Sequence, residues 1–299
     1  MRITKTFAET RAVAAGQIGL VPTMGFLHEG HLSLIEAARR ANDTVVMSLF
    51  VNPLQFDRDS DLARYPRNLD RDVELAAGVG ADVVFAPELE EMYPGEQLTR
   101  VNVAGLSDAM EGPNRPGHFE GVATVVAKLL AGIQPDRSYF GRKDAQQLAV
   151  VRRMASDLSF PGDVIGVPIV READGLALSS RNIFLSTEQR ASALALSRGL
   201  LAAADLAEAG ERKAGQIIAA VLTAIGESPD LSVEYVTLAS QELVQPLDTL
   251  DRPAFLALAA WSGETRLIDN VHLDAGNGGF VADRGSRLET TSVLYGGEG

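Results

Sequence analysis

Short apolar runs alternate with amphipathic stretches from Ile18 to Pro168. The runs at residues 18–21, 44–51, 82–85, 138–140 and 164–167 are each bounded by Gly, Pro, Asn or Asp and predict short buried strands. Between them, residues 31–41, 69–77 and 120–133 carry helical spacing. In the last of these, Val122, Val125, Val126, Leu129, Leu130 and Ile133 recur at three- and four-residue steps and share one face. Strands alternating with helices predict right-handed βαβ units and a doubly wound parallel sheet, the Rossmann-like arrangement of the α/β class. Ligands of such sheets sit beyond the carboxyl ends of the strands.

The texture changes after about residue 170. Residues 186–209 are rich in Ala and Leu and open on a Ser-Thr-Glu capping signature, which predicts a long helix. A second helix is expected at 213–225, then strands at 233–238, 254–261 and 265–270. The division is therefore a first domain at 1–169, a smaller α+β domain at 170–275, and a tail at 276–299. That tail holds seven glycines without apolar periodicity and is expected to be flexible.

Composition narrows the partners. The 299 residues include 40 acidic and 27 basic side chains, a formal charge of −13, so nucleic acid is a poor default ligand. A phosphate-bearing ligand must be held by a local cluster of donors against that field. The absence of cysteine excludes disulfides, thiolate metal sites and a Cys nucleophile. No run approaches the roughly 18 apolar residues of a membrane span, and no signal-like segment opens the chain. A soluble, cytoplasmic protein without membrane partners is expected.

The densest chemistry lies where the first strand runs into the first helix, at Val21-Pro22-Thr23-Met24-Gly25-Phe26-Leu27-His28-Glu29-Gly30-His31. Two of the four histidines fall three apart at a helix start, where they share a face and the helix terminus attracts anions. Gly30 lets a bulky group approach the backbone. A capping loop with surface histidines is the plain alternative. A metal site is another, but no third ligand of suitable spacing follows. Phosphate binding is favoured. Lys143 is one of only four lysines and sits in Gly141-Arg142-Lys143-Asp144 at a strand–helix junction. Arg181 follows Ser179 and Ser180 on a loop, where hydroxyls, backbone N–H groups and a guanidinium can converge on a triphosphate. A surface ion pair is the plain reading of Arg181.

The His-x-Gly-His element resembles the nucleotide-binding signature shared by class I aminoacyl-tRNA synthetases and small nucleotidylyltransferases. The wider string from Pro22 to Ile35 resembles the pantoate–β-alanine ligase family, the pantothenate synthetases. Four further blocks match in order: Phe50-Val51-Asn52-Pro53-Leu54-Gln55-Phe56, Arg115-Pro116-Gly117-His118-Phe119, Gly141 to Leu148, and Asp174 to Asn182. The resemblance is strong over residues 18–190 and weaker beyond.

The resemblance implies ATP-dependent joining of pantoate and β-alanine through pantoyl adenylate, with release of pyrophosphate and AMP. His31 takes the family's proton-donor role, and His28, Lys143 and Arg181 complete the implied catalytic set. ATP would be bound by residues Met24, Gly25, Phe26, Leu27, His28, Glu29, Gly30 and His31. Gly141, Arg142, Lys143, Asp144, Val170, Leu178, Ser179, Ser180 and Arg181 complete that surface. Gln55 and Gln147 match the glutamines that bind pantoate and β-alanine. Asn52, Tyr65, Arg115 and His118 are second-rank candidates, while Arg64, Arg67 and Arg71 read as a solvated face. No dedicated metal cage is expected, Mg2+ arriving on the phosphates of ATP. A homodimer is implied.

Arg142 and Ala145 depart from the family's usual residues at those positions. A nucleotidylyltransferase acting on a phosphate acceptor would want more basic residues in the acceptor pocket. A non-catalytic nucleotide-binding regulator has no need of histidines, Lys143 and Ser-Ser-Arg together. A tRNA synthetase would want a basic tRNA-binding domain.

Overall fold

The computed structural model describes residues 1–56, 59–228 and 230–296, with the side chains of 59–61 left aside. It divides into two compact units, Met1–Leu27 with His31–Val167, and His28–Gly30 with Pro168–Gly299.

The first unit holds strands β1 (Arg2–Thr4), β2 (Ile18–Thr23), β3 (Thr44–Leu49), β4 (Val83–Phe85), β5 (Arg137–Gly141) and β6 (Asp163–Val167). Its helices are α1 (Phe7–Val13), α2 (Glu29–Ala41), α3 (Asp59–Arg64), α4 (Leu69–Gly78), α5 (Leu89–Met92), α6 (His118–Ile133) and α7 (Ala145–Asp157). The strands form one parallel sheet in the order β1-β4-β3-β2-β5-β6. This is the expected Rossmann-like α/β sheet. The order of strand addition reverses between β2 and β5, so the chain leaves those two carboxyl ends in opposite lateral directions. That opens a crevice at the switch point.

Both sheet faces are covered, which is why the strands are continuous apolar runs. Val84 joins Val21, Ile35, Ala38 and Met47 in the core beneath α2 and α4. Phe85, its neighbour, points the other way and meets the Phe7 ring of α1 at 4.8 Å. β1 lies outside the five expected runs. With three residues and two of them exposed, it shows no apolar run to read. α1 follows from a Thr6–Glu9 capping box, a local signal that the apolar pattern passes over. α6 starts at His118, two residues before the expected start at 120, and so carries that histidine inward.

The second unit holds β7 (Val170–Arg171), α8 (Thr187–Glu208), α9 (Ala214–Gly226), β8 (Leu231–Ser240), β9 (Ala254–Ser262), β10 (Thr265–Gly276), β11 (Gly279–Asp283) and β12 (Ser286–Arg287). β11-β10-β9-β8 form an antiparallel sheet. α8 and α9 bury Leu196, Leu200, Ala203, Ile217 and Val221 against Leu256, Leu258, Val271 and Leu273. Ser186 caps α8 and forms the capping box with Gln189, the third helical residue, while its hydroxyl also donates to Glu188 Oε2 at 2.8 Å.

The segment from residue 276, expected to be flexible from its glycines, carries regular structure. β11 pairs with β10, and β12 pairs in parallel with β7. Glycine serves there as turn and hairpin backbone, Phe280 and Ala282 pack against the core of the unit, and Arg284 and Tyr295 add polar attachments. Residues 297–299 of that tail lie outside the described ones.

A buried ion pair ties β7 to β10. Arg171 donates to both oxygens of Asp269 at 2.7 and 3.1 Å. Its remaining N–H groups reach the carbonyls of Arg284, Gly175 and Asn270. Every guanidinium donor is thereby engaged. Asp269→Ala leaves that cation buried without its counter-charge, and urea unfolding should show a loss of about 3–5 kcal/mol. A loss below about 1 kcal/mol would mean that the pair contributes no more than a surface contact.

Candidate active site

β2 ends at Thr23, and the chain then makes two successive left-handed residues, Gly25 at φ +87° and Phe26 at φ +52°. The backbone is held there by Asp72 of α4. Its carboxylate accepts Phe26 N–H and Leu27 N–H, both at 2.7 Å. A Cβ on residue 25 would lie 2.9 Å from the same carboxylate, so the turn requires glycine on both counts. Burial raises the Asp72 pKa, opposed by the two N–H groups and the Arg71 charge.

Arg71 is not part of a solvated face. Its Nη1 donates to Leu27 O at 3.0 Å, and its guanidinium lies 5.2 Å from the Phe26 ring centroid and 3.5 Å from Asp72. The solvated-face reading grouped it with Arg64 and Arg67, which are exposed. Only the loop folded beside α4 distinguishes it. Met24 is half-buried, and the Leu27 side chain is wholly core.

Within the first unit, the switch point between β2 and β5 sets this loop beside the end of β5. Gly141 leads into a 3-10 turn at Arg142–Asp144, and α7 follows directly. His31 stands in the field of Lys143 and Asp144 of that turn. Desolvation lowers its pKa to about 4, with Asp144 opposing and Lys143 adding to the shift. The imidazole is therefore neutral near pH 7 and acts as a hydrogen-bonding group. Arg142 and Lys143 are half-buried, and Asp144 is exposed.

The amide pocket around Gln55 is more connected than the sequence suggests. Gln55 is buried at the end of a 3-10 turn, Pro53–Gln55. Its Oε1 accepts from Asn52 Nδ2 at 3.1 Å, and its Nε2 donates to Met24 Sδ at 3.0 Å. Asn52 is fixed in turn by Tyr93, whose hydroxyl donates to Asn52 Oδ1 at 2.7 Å, and by Gly121 O, which accepts from Asn52 Nδ2. Burial pushes the Tyr93 phenol up, so it remains a donor.

His118 packs beneath. Arg115 Nη1 lies 2.9 Å from Nε2 and can only donate, so the proton sits on Nδ1 and goes to Gln55 O at 2.8 Å. Desolvation and the Arg115 charge lower the His118 pKa to about 4. His118 and Asn52 are thus supports of Gln55. Tyr65 stacks edge-on against Phe56 at 5.8 Å.

Gln146 and Gln147 divide their work. Gln146 is buried and bonded to Glu111 N–H, Leu106 O and Ala109 O, which pins the loop before α6. Gln147 is half-buried and its side chain makes no hydrogen bond among the described residues. Tyr93 and Gln146 were not anticipated. Tyr93 lies in a segment without a motif, and adjacent glutamines carry no signal of which faces the core until helix α7 is placed.

The second unit is built separately. His28 is buried, and its Nδ1 accepts Gly30 N–H at 3.1 Å, which leaves the ring proton on Nε2. The bulky group that approaches Gly30 is this ring, 2.8 Å from where a Cβ would stand. Glu29 accepts from Ser292 Oγ and from Val293 N–H.

Ser179 caps a 3-10 turn at Ser180–Phe184, its Oγ accepting Arg181 N–H at 3.3 Å. Ser179 and Ser180 are half-buried. Asn182 anchors this turn, donating to Glu172 Oε1 at 2.6 Å and Ala177 O at 3.1 Å. Arg181 is exposed and forms no ion pair among the described residues, against the surface-pair reading. Val170 and Leu178 bury their side chains and are joined by a backbone bond of 3.0 Å, so they have only main-chain groups to offer a ligand.

Comparison with known proteins agrees with these blocks. The family model described as pantoate-beta-alanine ligase matches residues 2–272. The pantothenate synthetase of Moorella thermoacetica is 53% identical over 280 residues, covering 92% of this chain and 99% of that protein. The crystal structure of pantothenate synthetase from Thermus thermophilus superposes with a TM-score of 0.85 at 50% identity, over 90% of this chain and 98% of that one. The pantoate-beta-alanine ligase of Francisella tularensis, complexed with beta-gamma ATP and beta-alanine, superposes at 0.73 with 32% identity over 90% and 97%. With the whole parallel sheet and most of the antiparallel one inside these matches, the chain belongs to the pantoate–β-alanine ligase family and is a ligase.

Proposed function

We propose that this ligase activates pantoate with ATP and then joins it to β-alanine. A pantoate carboxylate oxygen attacks the α-phosphorus, the bond to the bridging oxygen breaks, and pyrophosphate leaves, giving pantoyl adenylate. The β-alanine amine then attacks the acyl carbon, AMP departs with the bonding pair, and the amine loses a proton. The observation that carries this reading is that the chain leaving β2 brings His31, and the chain leaving β5 brings Lys143 and Asp144, to the carboxyl ends flanking the switch point. Both charges act on His31, and buried Gln55 is held against Met24 of the β2 loop. The relative from Francisella tularensis, with its beta-gamma ATP and beta-alanine complex, supports the same substrates here.

Phosphoryl transfer asks for positioning and charge neutralisation more than for a covalent nucleophile. Lys143 and Arg181 neutralise phosphate charge, and His28 and His31 donate hydrogen bonds to the leaving pyrophosphate. Met24, Gly25, Phe26, Gly141, Arg142 and Val170 contact the nucleotide. Mg2+ travels with the ATP phosphates. Gln55 and Gln147 serve pantoate's hydroxyls and carboxylate without burying an ion pair. The Ser179–Arg181 loop closes on phosphate once ATP is bound, the second unit acting as a lid that keeps water from the adenylate. A cytoplasmic homodimer without nucleic-acid partners belongs to the same reading.

Single-turnover formation of pantoyl adenylate from ATP and pantoate, followed by amide formation on adding β-alanine, tests the proposal directly. Lys143→Ala should slow the first step about 10²–10³-fold with the fold intact. An unchanged rate removes Lys143 from the chemistry.

Gln147→Ala and Gln55→Ala should weaken pantoate binding by roughly 1–3 kcal/mol each while sparing ATP. Calorimetry showing ATP affinity falling instead would move both amides out of the acid pocket.

The imidazoles give a pH expectation. His31 and His118 are held neutral to about pH 4 in the folded chain, whereas the unfolded chain protonates them near its higher, ordinary value. Below that ordinary value the unfolded state binds more protons, so their neutral burial favours folding at neutral pH and disfavours it as acid is added. Ring resonances should titrate near pH 4, with stability falling from about pH 6.5 downward. Titration of both rings at about 6.5 would refute it.

A further inference from the structure

The family match ends at residue 272, yet the chain beyond it is attached at defined points. After β12, Leu288 N–H bonds Arg171 O at 2.9 Å, continuing the ladder along β7. Ser292 is buried, and its Oγ donates to Glu29 Oε2 at 2.6 Å while Val293 N–H donates to Glu29 Oε1 at 2.7 Å. Both carboxylate oxygens of Glu29 are thus engaged by the tail. Leu294 N–H bonds back to Ser292 Oγ, which fixes that hydroxyl's direction.

Three residues on, Tyr295 meets a second carboxylate. Its hydroxyl donates to Glu172 Oε1 at 3.0 Å and accepts from Arg190 Nη1 at 2.8 Å, and the Arg190 guanidinium lies 5.7 Å from its ring centroid. Glu172 Oε1 is the atom that also receives Asn182 Nδ2, the anchor of the Ser179–Arg181 turn. The phenol's pKa is pushed up to about 12, first by burial and then by the Glu172 charge, so it stays a donor at neutral pH.

Glu29 and Glu172 each stand next to a group assigned to ATP. Glu29 lies between His28 and Gly30 in sequence, and those three residues belong to the same unit as the tail. A free carboxylate at that place would repel a triphosphate and swing its turn. Two short donors from the tail screen its charge and fix its position.

We propose that residues 286–295 are a positioning strap for ATP: Ser292 and Val293 hold Glu29 and the His28–Gly30 turn, and Tyr295 holds Glu172 and hence the Asn182 anchor. Ser292 and Tyr295 are positioning residues, acting through the two glutamates. The inference rests on the ATP-binding reading above.

The full chain is compared with one ending at residue 288, and with Ser292→Ala, Ser292→Thr and Tyr295→Phe. Two readouts are taken: pantoate-dependent pyrophosphate release with varied ATP or pantoate, and hydrogen exchange without ligand. The strap predicts an ATP KM raised about tenfold in the short chain, from loosening by a fraction of an ångström, with the pantoate KM within about twofold. Ser292→Ala and Tyr295→Phe should each show part of that rise, and Ser292→Thr should recover most of the serine's share. Amides at 29–32 and 178–182 should exchange faster in the short chain. An unchanged ATP KM overturns the strap and leaves the ligase reading standing. A lower ATP KM or higher kcat on truncation also overturns it, making the tail a blocking segment. If the full chain releases no pyrophosphate with pantoate, the ligase reading fails and exchange alone decides: equal rates at both segments sink the strap. Should the short chain not fold, the point variants decide on the same terms.

Discussion

Two backbone N–H groups at 2.7 Å from one buried carboxylate set the geometry on which the rest of the site depends. Beyond β2 the chain must turn sharply to present the start of α2 at the carboxyl edge of the sheet. It does so through two left-handed residues, one of them a phenylalanine, which is a costly conformation for a side chain with a Cβ. Consecutive N–H groups then point the same way, and a single ionised carboxylate can accept both. Asp72 supplies it, and Arg71 closes the arrangement from the other side through Leu27 O and the Phe26 ring. His31 inherits its position from this turn.

The electrostatics of the site follow from burial more than from net charge. An acidic chain of formal charge −13 would be expected to hold its histidines protonated, yet His31 and His118 are both shifted down to about 4. Desolvation is the larger effect at each, and the acidic field, represented locally by Asp144, only opposes it. In the ATP-binding role proposed for His31, a neutral imidazole donates a hydrogen bond without first having to lose a counter-ion. Neutral groups also shape the amide pocket, where Asn52, Tyr93 and His118 orient Gln55 without any formal charge on it.

The parallel sheet, the long helices and the motif blocks were legible because their signals are local. Apolar runs mark strands covered on both faces, and a 3.6-residue period marks helices packed on one. The exceptions have definite causes. β1 is too short and exposed to show a pattern, and α1 announces itself only by a capping box. The glycines after residue 276 read as slack, although β11 and β12 are paired there. Glycine content hides the few apolar residues there, Phe280 and Ala282, which pack on the core, and gives no sign that Tyr295 and Ser292 attach the segment through hydrogen bonds to carboxylates.

By itself the sequence determined the class of fold, the family and the residues proposed to meet phosphate, since those depend on spacing within a few positions of the chain. Tertiary structure alone decided which side chains hold them. Asp72 reaches Phe26 across 46 positions, Tyr295 reaches Glu172 across 123, and Ser292 reaches Glu29 across 263. Whether Gln146 or Gln147 turns inward, and whether Arg71 is a surface cation or a clamp on Leu27, likewise waited on which elements lie alongside. A hydrogen bond depends on distance and direction in space, and a one-dimensional pattern records neither for residues so far apart.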